Sequence, residues 1–466
     1  MKAAKPSWRE WMRRDEALDP RYSRRRGTHP WYLVIWLTGV DYFSTLGYQP
    51  GIALLAAGAV SPIATAVLVA VTLLCALPIY AQVAGRSYAG LGSIALLENL
   101  LPGWWGKFMV LVLLGFATTD FVITMTLSAS DAAMHATQNP YLHSWLGHAN
   151  VRVTLVLLAL LAAVFLKGFT EAIEMATAVC IPYLLLNVAV LGRALVEIAA
   201  HPDVLPRWQD ALKARGDWKQ LGFAAVLLFP RLALGLSGFE TGVSVMPLIR
   251  GAEADATADL PLDRPLDQPL GRIRNTRKLL AAAALIMSVL LLLSSFVSVL
   301  LIPKEAYREG GPASGRAIAW MAHKYLGNIF GSVYDVSTIL VLWFAGASAM
   351  AGLLHLVPRY LPRVGLAPEW VAYARPLVLV LFGFNVVVTL IFRRASRRRA
   401  ERMQRESSFL CCRRPWRRRL RSGRSAGIRS AFTAAEWWWS LPIRRWLMSS
   451  SGPTASLSPP SSSCSY

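Results

Sequence analysis

Three apolar stretches of the chain carry carboxylates and hydroxyls at spacings that put them on shared faces. Asp120, Thr124 and Ser128 stand at i, i+4 and i+8 in a run otherwise made of Phe, Val, Leu and Met. A helix there bears one polar stripe on an apolar body. Asp41 and Tyr48 are seven apart, nearly two turns, in the run Gly39-Val40-Asp41-Tyr42-Phe43-Ser44-Thr45-Leu46-Gly47-Tyr48-Gln49-Pro50-Gly51. Ser237 and Glu240 are three apart between Leu236 and Gly242, flanked by Pro230 and Pro247. Oxygens of this kind suit a hard monovalent cation that has shed its water, and a carboxylate among them can also take up a proton. A lone Ser or Thr in an apolar helix usually bonds its own i−4 carbonyl or glues two helices together. An acid there is different, because it costs a few kcal/mol or more unless it lines a cavity or meets a partner.

The elements that must position these groups are membrane helices. Of 466 residues, 55% are hydrophobic and 16% charged, with a mean hydropathy of +0.41. Apolar runs near twenty residues recur, which marks an all-α polytopic membrane protein rather than a soluble enzyme. Nine spans can be read, at about 31–57, 60–84, 105–129, 150–167, 172–200, 219–249, 279–302, 329–354 and 370–392. The first and sixth are interrupted by Gly and Pro. Matching breaks in two halves of a chain point to a transport site at a repeat interface.

Charge sets the expected orientation and domain limits. Residues 1–29 hold nine Lys and Arg, which predicts a basic cytoplasmic N-terminus and not a cleavable signal. Residues 130–149 contain no Lys or Arg and fall outside on this count, while the loop 251–278 falls inside. The transmembrane domain is expected over 30–393. From Arg393 onward there are 17 Arg against 3 Glu, so +14 of the net +22 lies in that segment. Residues 394–466 read as an Arg-, Ser- and Pro-rich tail, either disordered or produced by a shifted coding frame near Arg394; resequencing decides between the two.

The three constellations resemble those of the amino acid–polyamine–organocation superfamily, and within it the potassium–proton symporters of the KUP type, over roughly 25–393. The resemblance implies a LeuT-like five-plus-five inverted repeat with two further helices, broken first and sixth helices, and alternating access. The chain would then be truncated after about nine transmembrane helices. It also implies that Asp120, Thr124, Ser128, Ser237 and Tyr48 bind the cation, with Asp41 and Glu240 in proton coupling or gating. Phe121 stands where that family commonly has tyrosine, and Ser237 where it has threonine. The rival reading is a proton-coupled amino-acid permease. Permeases commonly receive the substrate carboxylate on the amides of a glycine-rich break, whereas Asp41 would repel a carboxylate and accept an amine.

Other classes lack their residues. No His-Glu-x-x-His, P-loop or Gly-x-Ser-x-Gly motif is present, so no enzyme is expected. Five cysteines show no zinc spacing and no disulfide framework, and no cofactor or resident metal is expected. His135, His143 and His148 read as solvated loop residues, and Asp335 as interfacial. Arg231 either pairs with an acid or snorkels; Glu171 and Glu174 either line an inner gate or face water. The expected setting is a bacterial-type inner membrane. Expected partners are the bilayer, protons and a transported cation or small amino acid, with a homodimer as a further candidate and nucleic acid excluded.

Overall fold

Apolar runs of this length satisfy their backbone groups only within themselves, so they coil. The computed structural model describes residues 12, 28–86, 103–147, 149–167, 173–232, 238–251, 270–308, 310–361 and 368–391. These belong to a unit spanning Met1–Ala395; the second unit, Ser396–Tyr466, lies outside the described residues, as does the expectation about the tail. The helices are α1 (Trp31–Ala57), α2 (Ser61–Val71), α3 (Leu77–Arg86), α4 (Gly103–Gln138), α5 (Asn150–Lys167), α6 (Ile173–Ala200), α7 (Val204–Lys213), α8 (Trp218–Leu232), α9 (Gly238–Ser244), α10 (Leu270–Leu301), α11 (Ala317–Tyr360) and α12 (Ala374–Ile391). Among the described residues there is no strand, only one backbone bridge between His29 and Ile249.

Seven helical runs are long and apolar enough to cross a membrane. This is the architecture of a multi-pass membrane protein. The seven differ from the nine spans read in the sequence for two reasons. Trp31–Arg86 forms one helical run, in which the turn Gly58–Val60 separates α1 from α2. In the sixth span the described residues form α8 and α9, each too short to count, and residues 233–237 between them are not described.

α1 is the axis of the bundle. Every residue from Leu37 to Gly51 is buried, so the helix is covered on all sides. α2, α6, α8, α9, α10 and α11 supply that cover. The break expected at Gly47 to Gly51 does not form: α1 runs unbroken through Pro50. Its small residues serve close approach instead. A Cβ on Gly47 would stand 3.2 Å from the Thr338 methyl, and one on Gly51 would stand 3.1 Å from the Gly315 Cα. Small residues at helix contacts let backbones meet, and a bundle tolerates the proline when neighbours cover it.

α4 also departs from expectation. It continues to Gln138, ten residues beyond Ser128, because Ala129, Ala132, Ala133 and Ala136 favour helix and Asn139-Pro140 is the first stop signal. His135 is therefore helical and buried, not solvated in a loop. α11 bends at Gly327, whose φ of 86° only glycine adopts readily.

Contacts identify two ends of the bundle. At one, Arg215 Nη1 donates to Ala57 O at 3.0 Å and Trp208 Nε1 to Ala59 O at 2.9 Å. At the other, His29 N donates to Leu248 O and Arg250 N to His29 O, both at 2.8 Å, while Asn275 Nδ2 reaches Arg250 O. Between the ends, Ser295 of α10 bonds Ser61 at 2.8 Å and Thr65 at 3.0 Å of α2, hydroxyl glue between apolar helices.

Gly51→Ala should destabilise the bundle by about 1–3 kcal/mol, since the new methyl meets backbone that has no side chain to move. Gly192→Ala, with open space around it, should be neutral or better. Thermal unfolding of both variants in detergent checks this, and equal midpoints would contradict the packing.

Candidate functional site

Asp41 lies in the middle of α1, and α11 supplies its partner. Ser348 Oγ donates to Asp41 Oδ2 at 3.1 Å, whereas Asp41 Oδ1 meets no donor among the described residues. Ser44 and Thr45, which share its stretch, donate instead to the Asp41 backbone carbonyl at 3.0 and 3.4 Å. This is the ordinary use of a helical hydroxyl. Thr241 of α9 lies beside the Asp41 carboxyl while donating to Gly238 O at 2.8 Å.

Two turns along, the Tyr48 hydroxyl stands 3.4 Å from Thr45 Oγ1, with its ring against Ala132 and Leu342. Asp41, Asp120 and Asp131 all lie within electrostatic reach of Tyr48, and Asp120 lies within reach of Asp41. The structure thus brings the expected acids of α1 and α4 to one neighbourhood. Asp120 and Thr124 are half-buried and Ser128 is buried, so the stripe on α4 runs from a partly open region into the bundle.

Glu240 sits in the first turn of α9. Tyr80 of α3 hydrogen-bonds its carboxylate and stacks on Phe239 at 5.3 Å between centroids. Phe239 in turn packs edge-on against Tyr42 at 5.2 Å. Tyr80 is also within electrostatic reach of Asp120, which links Glu240 to the same neighbourhood. Ser237 lies outside the described residues. So do His148, Glu171 and the Arg231 side chain.

The most densely bonded polar group was not legible as such in the sequence. Asp335, expected at the interface, is fully buried. Arg316 Nη2 donates to both of its oxygens at 2.9 Å, His135 Nδ1 lies 2.8 Å from Oδ1, and His323 Nε2 and Asn139 Nδ2 lie 2.9 Å from Oδ2. The cluster ties the outer turns of α4 to α11 on both sides of its kink. Tyr334, next along, donates to Asn187 Oδ1 of α6 at 3.0 Å. Among the described residues no group of three or more His, Cys, Asp and Glu is arranged to hold a metal ion. Arg316 already occupies both Asp335 oxygens.

Two further residues escaped the sequence reading. Gln49 Nε2 donates to Leu232 O at 2.9 Å, joining α1 to the last described residue of α8. Asp131 is buried on the α4 stripe, and its Oδ2 has no partner among the described residues. Continuing the i, i+3, i+4 pattern past Ser128 would have found Asp131 and His135. A shallow pocket beside Tyr42, lined by Leu68, Thr72, Met287 and Ser288, is apolar and holds none of the acids. No protein-family model and no curated protein matches the chain.

Asp335→Ala should destabilise the protein by about 3–5 kcal/mol, because Arg316 is left buried without its counter-charge. Adding Arg316→Leu should recover part of that loss. Thermal unfolding in detergent reads both, and a double variant no better than the single one would contradict the pairing.

Proposed function

We propose that the protein is a secondary active transporter that takes up a monovalent cation, potassium foremost, in symport with protons by alternating access. The observation that carries this reading is that Asp41, Asp120 and Tyr48 lie within electrostatic reach of one another, with one Asp41 oxygen lacking a donor among the described residues. Buried acids without basic partners are costly unless a cation visits them. The resemblance to KUP-type symporters assigns these same residues, with Thr124, Ser128 and Ser237, to the cation and Asp41 and Glu240 to coupling or gating.

The unbroken α1 bears on the cargo. A helix interrupted at Gly47 to Gly51 would offer free amides to a substrate carboxylate, as an amino-acid permease requires. α1 offers none there, and the buried side-chain oxygens near its middle are those of Asp41, Tyr42, Ser44, Thr45, Tyr48 and Gln49. This favours a cation over an amino acid. The five-plus-five repeat belongs to the same proposal. The end that carries His29 and Ile249 faces the cytoplasm, in keeping with the Lys and Arg excess of residues 1–29.

Expression in a bacterium lacking its own potassium uptake should restore growth at low potassium. Asp120→Asn should cut that rescue by about tenfold or more, the order expected when one charged ligand is lost. Undiminished rescue by Asp120→Asn would defeat the site.

A further inference from the structure

The polar face of α4 does not stop at the cation neighbourhood. Asp120, Thr124, Ser128, Asp131, His135 and Gln138 follow one another at spacings of four, four, three, four and three. All six fall within about 80° of the helix circumference and along about 27 Å of its length. The stripe therefore joins the proposed site to the Asp335 cluster at the end of the bundle where α4 finishes.

Asp131 is the anomaly on this face. It is 7% exposed, and its Oδ2 meets no donor among the described residues. The titratable and charged groups around it are accounted for. From α1 come Tyr48 and Asp41, neither of them cationic. From α11 and the residue before it come Asp335, His323 and Arg316, bound to one another. α5 carries Arg152 and Lys167, both exposed near its ends. Along α4 itself are Asp120 and His135, and His135 is engaged with Asp335 through Nδ1. His143, in the short helix that follows α4, is exposed and bonds Thr137 O. No cation among the described residues neutralises Asp131.

A carboxylate so placed carries a heavy desolvation cost if ionised. Either a metal cation or a proton can remove it. A dehydrated cation needs several oxygens at once. Asp131 lies within electrostatic reach of Tyr48, and no hydroxyl donates to its buried Oδ2 among the described residues. A proton needs a single oxygen. His135, one turn further along the stripe, completes the arrangement. Its Nδ1 faces the Asp335 carboxylate and so bears the hydrogen, which leaves a lone pair on Nε2, buried and unpartnered.

We infer that Asp131 carries the coupled proton, received from the end of the bundle through His135 Nε2; this rests on the transport reading above. One proton binds Nε2 to give the imidazolium, then passes to a carboxylate oxygen of Asp131. Histidine returns to its neutral form and Asp131 becomes the neutral acid. The bundle closes over Asp131 in its protonated form and opens to release the proton. Asp41 and Glu240, which have hydroxyl partners in Ser348 and Tyr80, then serve the cation and the gate.

The full chain in proteoliposomes, with rubidium as tracer, tests this. An inward pH gradient at zero membrane potential should raise wild-type rubidium uptake about fivefold or more, the usual scale of coupling between two sites. Asp131→Asn should keep rubidium–rubidium exchange at symmetric pH and lose the response to the gradient. Asp131→Glu, which retains a carboxyl, should keep the response with its pH profile displaced. An Asn variant still driven by the gradient overturns the inference. So does a folded Asn variant that loses exchange, since Asp131 would then belong to the cation site, or a Glu variant with an unmoved profile. Should the Asn variant fail to fold, the Glu profile decides alone. Absence of rubidium uptake by the wild-type chain removes the transport reading itself, an outcome distinct from all of these.

Discussion

A carboxylate inside an apolar bundle has to be neutralised or hydrogen-bonded, and the arrangement of this protein follows from how each of its acids meets that demand. Asp335 meets it completely, with an arginine, two histidines and an asparagine around two oxygens. Asp41 meets it by half, through one serine hydroxyl. Glu240 has Tyr80 as a hydrogen-bond partner. Asp131 finds no protein partner among the described residues. The gradation separates roles. A fully satisfied group holds helices together, and an unsatisfied one awaits something from outside the protein.

The satisfied group and the unsatisfied ones share two helices. α4 and α11 are clamped at one end by Asp335, and between them and α1 lie Asp41, Asp120, Asp131 and Tyr48. A clamp of buried charge is costly to break from one side. It gives the last turns of α4 a fixed partner. Close contacts at Gly47 and Gly51 draw α1 against α11 and the residues before it, which brings Ser348 within reach of Asp41. The packing of small residues and the placement of the acid are one feature.

Much of the fold was legible in the sequence, because apolar runs and their lengths dictate membrane helices directly. The pairing of Asp120, Thr124 and Ser128 on one face was legible too, from the helical period. What could not be read were partners far apart along the chain: His135 and Asp335 are 200 residues apart, and Asp41 and Ser348 are 307 apart. Local pattern holds no record of such meetings. The reading also stopped α4 too early, at the last strongly apolar residues, although an alanine-rich run continues the helix. That misplaced His135 and passed over Asp131. At Gly47 to Gly51 the same residue types serve two purposes, breaking a helix or admitting a close neighbour, and only the neighbour Gly315 decides between them. Ser237 lies outside the described residues.

The account stands on a cation binding among the acids of α1 and α4. Equilibrium binding of radioactive rubidium to the purified protein in detergent measures that step without transport. The account predicts saturable binding that potassium displaces and free amino acids do not, and that disappears when Asp41→Asn and Asp120→Asn are combined. Binding unaffected by the double substitution, or displaced by an amino acid in place of potassium, would contradict it.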